Sequence, residues 1–144
     1  MGKSATTAAV LTSILTLGMA AQPAAAAADS GFNLRGPGSS KIYGNFQVRG
    51  GGEYVRQAEC KVRIKDRFRA SGTITIRRYS DLGAITWEKT KSFTKSRVGA
   101  GLTTGGDLPG QSTAGTIVCE VRTTIYKKGK VWGAPRGAQT FRIT

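Results

Sequence analysis

The chain of 144 residues carries 22 lysines and arginines against 8 aspartates and glutamates, with no histidine and a formal net charge of +14. That length suits one domain rather than two, and the missing imidazole excludes serine–histidine catalysis, cysteine–histidine catalysis and histidine-ligated metal sites. The charge points to negative partners, and with no side chain that ordinarily titrates near neutrality it should persist across the physiological range.

Residues 1–28 read as a cleavable signal peptide. Lys3 supplies a positive start, Ala8–Ala21 is an apolar run of the right length, and Gln22-Pro23 breaks it. Ala24–Ala28 then offers small-x-small cleavage sites, with the cut expected just before Ala28 or Asp29. The apolar run falls short of the roughly 20 residues that a membrane span needs. No later stretch is long or apolar enough to cross. The mature chain, 29–144, is expected to be one secreted domain, extracellular or associated with a cell wall. Loss of Lys3 takes the net charge from +14 to +13.

In chain order, Asp29–Ser40 is polar and glycine-rich and reads as a flexible lead-in over 29–40. Lys41–Arg49 is the first strand, with Ile42, Phe46 and Val48 on one side, and Gly50-Gly51-Gly52 turns the chain back antiparallel. Glu53–Arg67 sets Ala58, Cys60, Val62 and Ile64 against Glu59, Lys61, Arg63 and Lys65. Ala70-Ser71-Gly72 reads as the next turn, and Thr73–Tyr79 as a strand with Ile74 and Ile76 inward. Ser80-Asp81-Leu82-Gly83 is a strong turn signal. Ala84–Thr94 follows as a strand with Ile85, Trp87 and Phe93 inward.

Lys95–Gly115 is glycine-rich with little apolar periodicity; a loop of that length is functional, disordered, or hides a short edge strand. Thr116–Tyr126 is the clearest strand, placing Ile117, Cys119, Val121 and Ile125 on one side. Lys127–Lys130 turns, Val131-Trp132 continues, Gly133–Gly137 interrupts as a bulge or edge kink, and Ala138–Thr144 closes the chain. Apolar residues nowhere recur at helical spacing in the mature chain. Six or seven short strands with glycine-rich turns fit an antiparallel sandwich or a small barrel, and the expected class is all-β, a small antiparallel β-sandwich.

Cys60 and Cys119 each sit on the apolar side of a strand, so one bond between them would tie the core together. Export favours that pairing over free thiols, with intermolecular pairing as the rival. Across a separation of 59 residues, such a link stabilises by about 4 kcal/mol in the chain-entropy model.

Cys60, Trp87 and Cys119, with the lead-in Ser112–Cys119 (STAGTIVC), resemble the immunoglobulin sandwich pattern of two bridged cysteines with a tryptophan between them. The chain departs from that pattern in having Ile117 where a tyrosine corner would stand, and in the long spacing from Cys60 to Trp87. The resemblance implies an immunoglobulin-like architecture. It implies no activity, because such sandwiches host many.

The basic residues are the loudest functional signal. Lys61, Arg63 and Lys65 share one strand face, and Arg67 extends the row. Arg77 and Arg78, with Arg69, Lys89, Lys91, Lys95 and Arg97, add charge in mid-chain, while Lys127, Lys128 and Lys130 crowd one turn. Tyr54, Tyr79, Tyr126 and Trp132 lie nearby in sequence and are able to stack on bases or sugars. The reading is a non-enzymatic monomer, without cofactor or metal, that binds an anionic extracellular partner. Cell-wall polymer, acidic glycan, nucleic acid, an anionic membrane surface and an acidic protein all qualify. The bland alternative is a well-solvated surface whose lysines guard the sheet edges.

Two further readings stay open. One is a secreted inhibitor or effector working through the 95–115 loop. The other is a small hydrolase, such as a nuclease, pairing a carboxylate with arginines. Glu59 and Glu120, each next to a cysteine, are the carboxylates on offer, and glycoside hydrolysis needs two facing one cleft about 5–9 Å apart. Each of them pairing with a neighbouring cation is the simpler outcome.

Overall fold

The computed structural model describes residues 28–51, 54–104 and 115–143. The signal-peptide reading, residues 1–28, lies outside that range save for Ala28. The described chain forms nine strands: β1 (Ala28–Asn33), β2 (Ile42–Gly51), β3 (Tyr54–Ile64), β4 (Arg69–Tyr79), β5 (Ile85–Ser96), β6 (Gly99–Thr103), β7 (Gly115–Lys127), β8 (Lys130–Gly133) and β9 (Arg136–Ile143). A single 3-10 turn at Ser39–Lys41 is the one helical element among the described residues. No helix there is long and apolar enough to cross a membrane.

All pairings are antiparallel, and they make two sheets. The first runs β1-β2-β3-β6. The second runs β5-β4-β7, with β8 against the end of β7 and β9 against the rest of it. Strand alternation explains why they face each other. On β2 and β3 the buried row is Ile42, Phe46, Val48, Ala58, Cys60 and Val62; on β4 and β7 it is Ile74, Ile76, Ile117, Cys119, Val121 and Ile125. Burying both rows against one another removes them from water, which is the main stabilisation a sandwich has. Gly44 continues the β2 row without a side chain because the ring of Phe32 occupies that space; a Cβ there would collide with it.

Cys60 and Cys119 are bonded, with Cα atoms 5.8 Å apart, and link β3 of one sheet to β7 of the other. The residue in register with Cys119 on β4 is Ile76. Trp87, the tryptophan of the sequence resemblance, lies instead on edge strand β5, half-buried, in register with Arg78. On the same strand Phe93 packs against the core, but Ile85 is 55% exposed rather than inward. An edge strand at the rim of a sandwich is covered from one side only, so period two does not guarantee burial there.

Two other expectations need correction, and a third is resolved. Residues 28–33 are not part of a flexible lead-in; they form β1, whose Asp29 carboxylate accepts from the side-chain amides of Asn45 and Gln47 at 3.0 and 2.7 Å. Ala70-Ser71-Gly72 is no turn but an irregularity within β4, and the chain reverses earlier, at Lys65–Phe68. Within residues 95–115 the alternative of a hidden short edge strand holds: β5 runs to Ser96, and Gly99–Thr103 is an edge strand paired with β3. Residues 105–114 lie outside the described range. Thr123, the polar gap in the inward row of β7, is buried and donates its hydroxyl to the Pro135 carbonyl at 2.6 Å, which ties the kink between β8 and β9 to the core.

Candidate anion-binding end

The antiparallel register brings one end of every long strand together. Ile42 pairs with Ile64, Arg69 with Tyr126, Ala70 with Ser96, Arg63 with Gly99, and Lys127 with Lys130. The backbone hydrogen bonds Lys65 N to Lys41 O, 2.8 Å, and Ile64 N to Val98 O, 3.1 Å, bind the intervening segments to each other. Lys41, Lys65, Arg67 and Arg69 therefore share this end with Lys95, Arg97, Lys127, Lys128 and Lys130. Among the described residues of these turns Asp66 is the one carboxylate, and it bridges to Lys41 at 3.0 Å.

Aromatic rings hold these cations in place. Phe68 is buried, and Trp132 meets it edge to face with ring centroids 5.3 Å apart. The Lys127 ammonium lies 5.0 Å from the Phe68 ring and 5.8 Å from that of Trp132, while Lys41 lies 5.4 Å from Phe68 on its own account. Lys65 sits 5.2 Å from Tyr43, and Lys95 sits 5.4 Å from Tyr126. Each such contact is worth about 0.5–1 kcal/mol when exposed. Their main effect is to restrict long side chains that would otherwise sweep freely. These five cation–π contacts are all at this end. The opposite end also carries cations, Arg49, Arg56, Arg78 and Arg142.

The backbone here is strained as well. Among the described residues, those with positive φ other than glycine are Asp66 and Arg67 in the β3–β4 turn, Lys128 in the β7–β8 turn, and Lys95 at the irregularity near the end of β5. Left-handed backbone costs an ordinary residue about 1–2 kcal/mol, and such strain gathers at functional sites. Three of the four are cations at positions that glycine or asparagine would fill at lower cost.

The residues singled out from sequence divide into groups. Lys65, Arg67, Lys127, Lys128 and Lys130 are brought together at this end. Lys61 and Arg63 are exposed on the outer face of the first sheet, with Lys61 3.5 Å from Glu59. Arg77 is on the outer face of the second sheet, bonded to Glu88 and, at 2.7 Å, to Glu120. Arg78 lies toward the other end and donates to Thr86 at 2.9 Å. Lys61 and Arg63 share the strand face expected of them, but the wider set expected on one electropositive sheet face divides between an end and two outer faces. Tyr126 and Trp132 belong to the end, whereas Tyr79 closes β4 at the opposite one. Lys41, Tyr43 and Phe68 escaped the sequence reading because each reaches the cluster through long-range pairing.

Glu59 and Glu120 do not face one cleft. Each precedes or follows a bonded cysteine that points inward, so they project from opposite outer faces. Both are paired with cations. The Glu120 carboxyl is held below the usual carboxylate range, chiefly by the hydrogen bond from Arg77 and also by Arg122 at 3.3 Å, against the opposing effect of burial. Arg77 is pushed upward by the bonds to Glu120 and Glu88. Asp29 is likewise lowered, first by Gln47. No protein-family model matches the chain, and neither a curated protein nor a solved structure matches it.

Proposed function

We propose that this protein is an exported, non-enzymatic β-sandwich of immunoglobulin-like architecture that binds an anionic extracellular polymer through the end built from Lys41, Lys65–Arg69, Lys95–Arg97 and Lys127–Lys130. The immunoglobulin-like reading is supported by the disulfide crossing between the sheets at β3 and β7. The binding reading rests on one observation above all: four ammonium groups, those of Lys41, Lys65, Lys95 and Lys127, lie braced on aromatic rings at one end of the sandwich. At Lys128, stability alone would favour asparagine, which tolerates positive φ better than lysine does. Attraction to a polyanion would come largely from release of its counterions, each charge neutralised lowering the salt-dependent affinity by a log–log slope of about 0.7–0.9.

Binding of the mature protein to a fluorescent polyanion, followed from 50 to 200 mM salt, tests this. With about five contacts the affinity should fall on the order of 100-fold. Lys127→Gln with Lys130→Gln should flatten that slope, while Lys61→Gln with Arg63→Gln should leave it nearly unchanged. Equal effects from both pairs would return the cations to the role of general solvation.

A further inference from the structure

The aromatic residues at the cationic end suggest at first a stacking platform for bases or sugars. Such a platform needs open ring faces on which a planar group can lie. Phe68 is 1% exposed and has Lys41 and Lys127 against it. Tyr43 and Tyr126 each have an ammonium over the ring, at 5.2 and 5.4 Å. Trp132 is half exposed, but Lys127 and the Phe68 ring already lie against it. Phe68 is closed off, and each of the other rings already has an ammonium against it.

Resting on the proposed function above, we infer that this end takes a linear, base-free chain of phosphates, recognised by its repeated charge alone, and that the rings serve as rests for ammonium groups rather than as contacts for the ligand. The geometry sets this order of roles. An ammonium has three N–H donors, so one held beside a ring still has donors for an oxyanion, and it loses little further freedom when an anion arrives. Arg67 and Arg97 add planar, forked donors suited to phosphate oxygens. Several adjacent turns carrying one sign of charge fit a ligand whose charge repeats along its backbone. A nucleic acid would bind here only as far as it presents such a backbone.

The test uses the full mature protein with its disulfide intact and three probes matched in charge number: inorganic polyphosphate, an abasic deoxyribose-phosphate oligomer, and oligo(dT). Dissociation constants of the abasic oligomer and oligo(dT) within about threefold of each other at one salt concentration, with equal salt slopes, are expected for recognition by charge, and polyphosphate, with its closer-spaced charges, should bind at least as tightly. Binding of oligo(dT) tighter than its abasic counterpart by about tenfold, the worth of roughly one stacked base, overturns this inference and leaves the binding function standing. Failure of all three probes to bind overturns both. Lys95→Gln exposes the Tyr126 ring while removing one charge. It should weaken all three probes by the same factor, and Lys95→Arg should restore them. A selective gain for oligo(dT) in Lys95→Gln would show that the wild-type ring had been kept from stacking, as inferred. A selective loss for oligo(dT) would overturn the inference. A thermal midpoint measured for each variant separates these effects from loss of fold.

Discussion

Lys128 and Gly129 are the two central residues of the β7–β8 hairpin, with φ of 52° and 79°. Two positive φ values make the mirror-image turn that suits strand twist, in which asparagine–glycine is the favoured pair. Lys128→Asn should therefore stabilise the protein by about 0.5–1 kcal/mol, because asparagine tolerates this backbone better than lysine does. It should also weaken polyanion binding by removing one charge. Lys128→Gly relieves the same strain but loosens the unfolded chain by about 0.4–1 kcal/mol, so it should come out near neutral in stability. Urea titration of both variants beside a binding curve checks the pair; a loss of stability in Lys128→Asn would remove the strain argument. Glu120 makes the matching acid-side prediction. Its carboxyl is lowered in the folded protein, so between its folded value and the ordinary value near 4.3 the unfolded chain binds more protons. Its contribution is present above that ordinary value and lost as pH falls through the folded one. Glu120→Gln should flatten the decline in unfolding free energy below about pH 4.5, measured by urea titration at stepped pH.

At the scale of elements, β5 and β7 differ because of where they sit. β7 has partners on both sides and a sheet over its inner row, so its alternation becomes a clean alternation of buried and half-buried residues. β5 has one partner, and its inward row of Trp87, Lys89, Lys91 and Phe93 is half-covered at best. The lysines suit an unpaired strand, since charge at an edge discourages pairing with another chain. Lys91 turns its ammonium to the carbonyl of Gly101 at 3.1 Å, helping to close the side of the sandwich between β5 and β6. Lys89→Val with Lys91→Val should leave polyanion affinity within about twofold but promote self-association, because two edge charges are replaced by β-branched apolar residues. Light scattering at rising protein concentration reads this directly; a strictly monomeric double variant would deny the lysines a protective role.

For the whole molecule, the bridge between β3 and β7 closes a separation of 59 residues. Cys60→Ala with Cys119→Ala should cost about 4 kcal/mol in the chain-entropy model, a large fraction of the roughly 5–15 kcal/mol by which domains are stable. The expected outcome is a large drop in urea midpoint, with binding kept wherever the variant remains folded. With no histidine in the chain, binding to a strong polyanion should change little between pH 5.5 and 8. A pronounced pH dependence in that window, measured at constant salt, would point to a titrating group outside the described charges.

The strand rows, the inward cysteines and the excess of positive charge could be read from the sequence because each is local or additive. Period two is set by neighbours along the chain, as in Ile117, Cys119 and Val121, and net charge needs no geometry. β1 was missed because Gly31 and Asn33 dilute its alternation, and its partner β2 supplies the order. The turn after β3 was misplaced because Asp66 and Arg67 adopt a backbone that sequence assigns to glycine. The grouping of Lys41, Lys65, Lys95 and Lys127 at one end was settled by tertiary structure alone. It depends on register between strands far apart in the chain, and that register is fixed by how the buried rows of two sheets fit together.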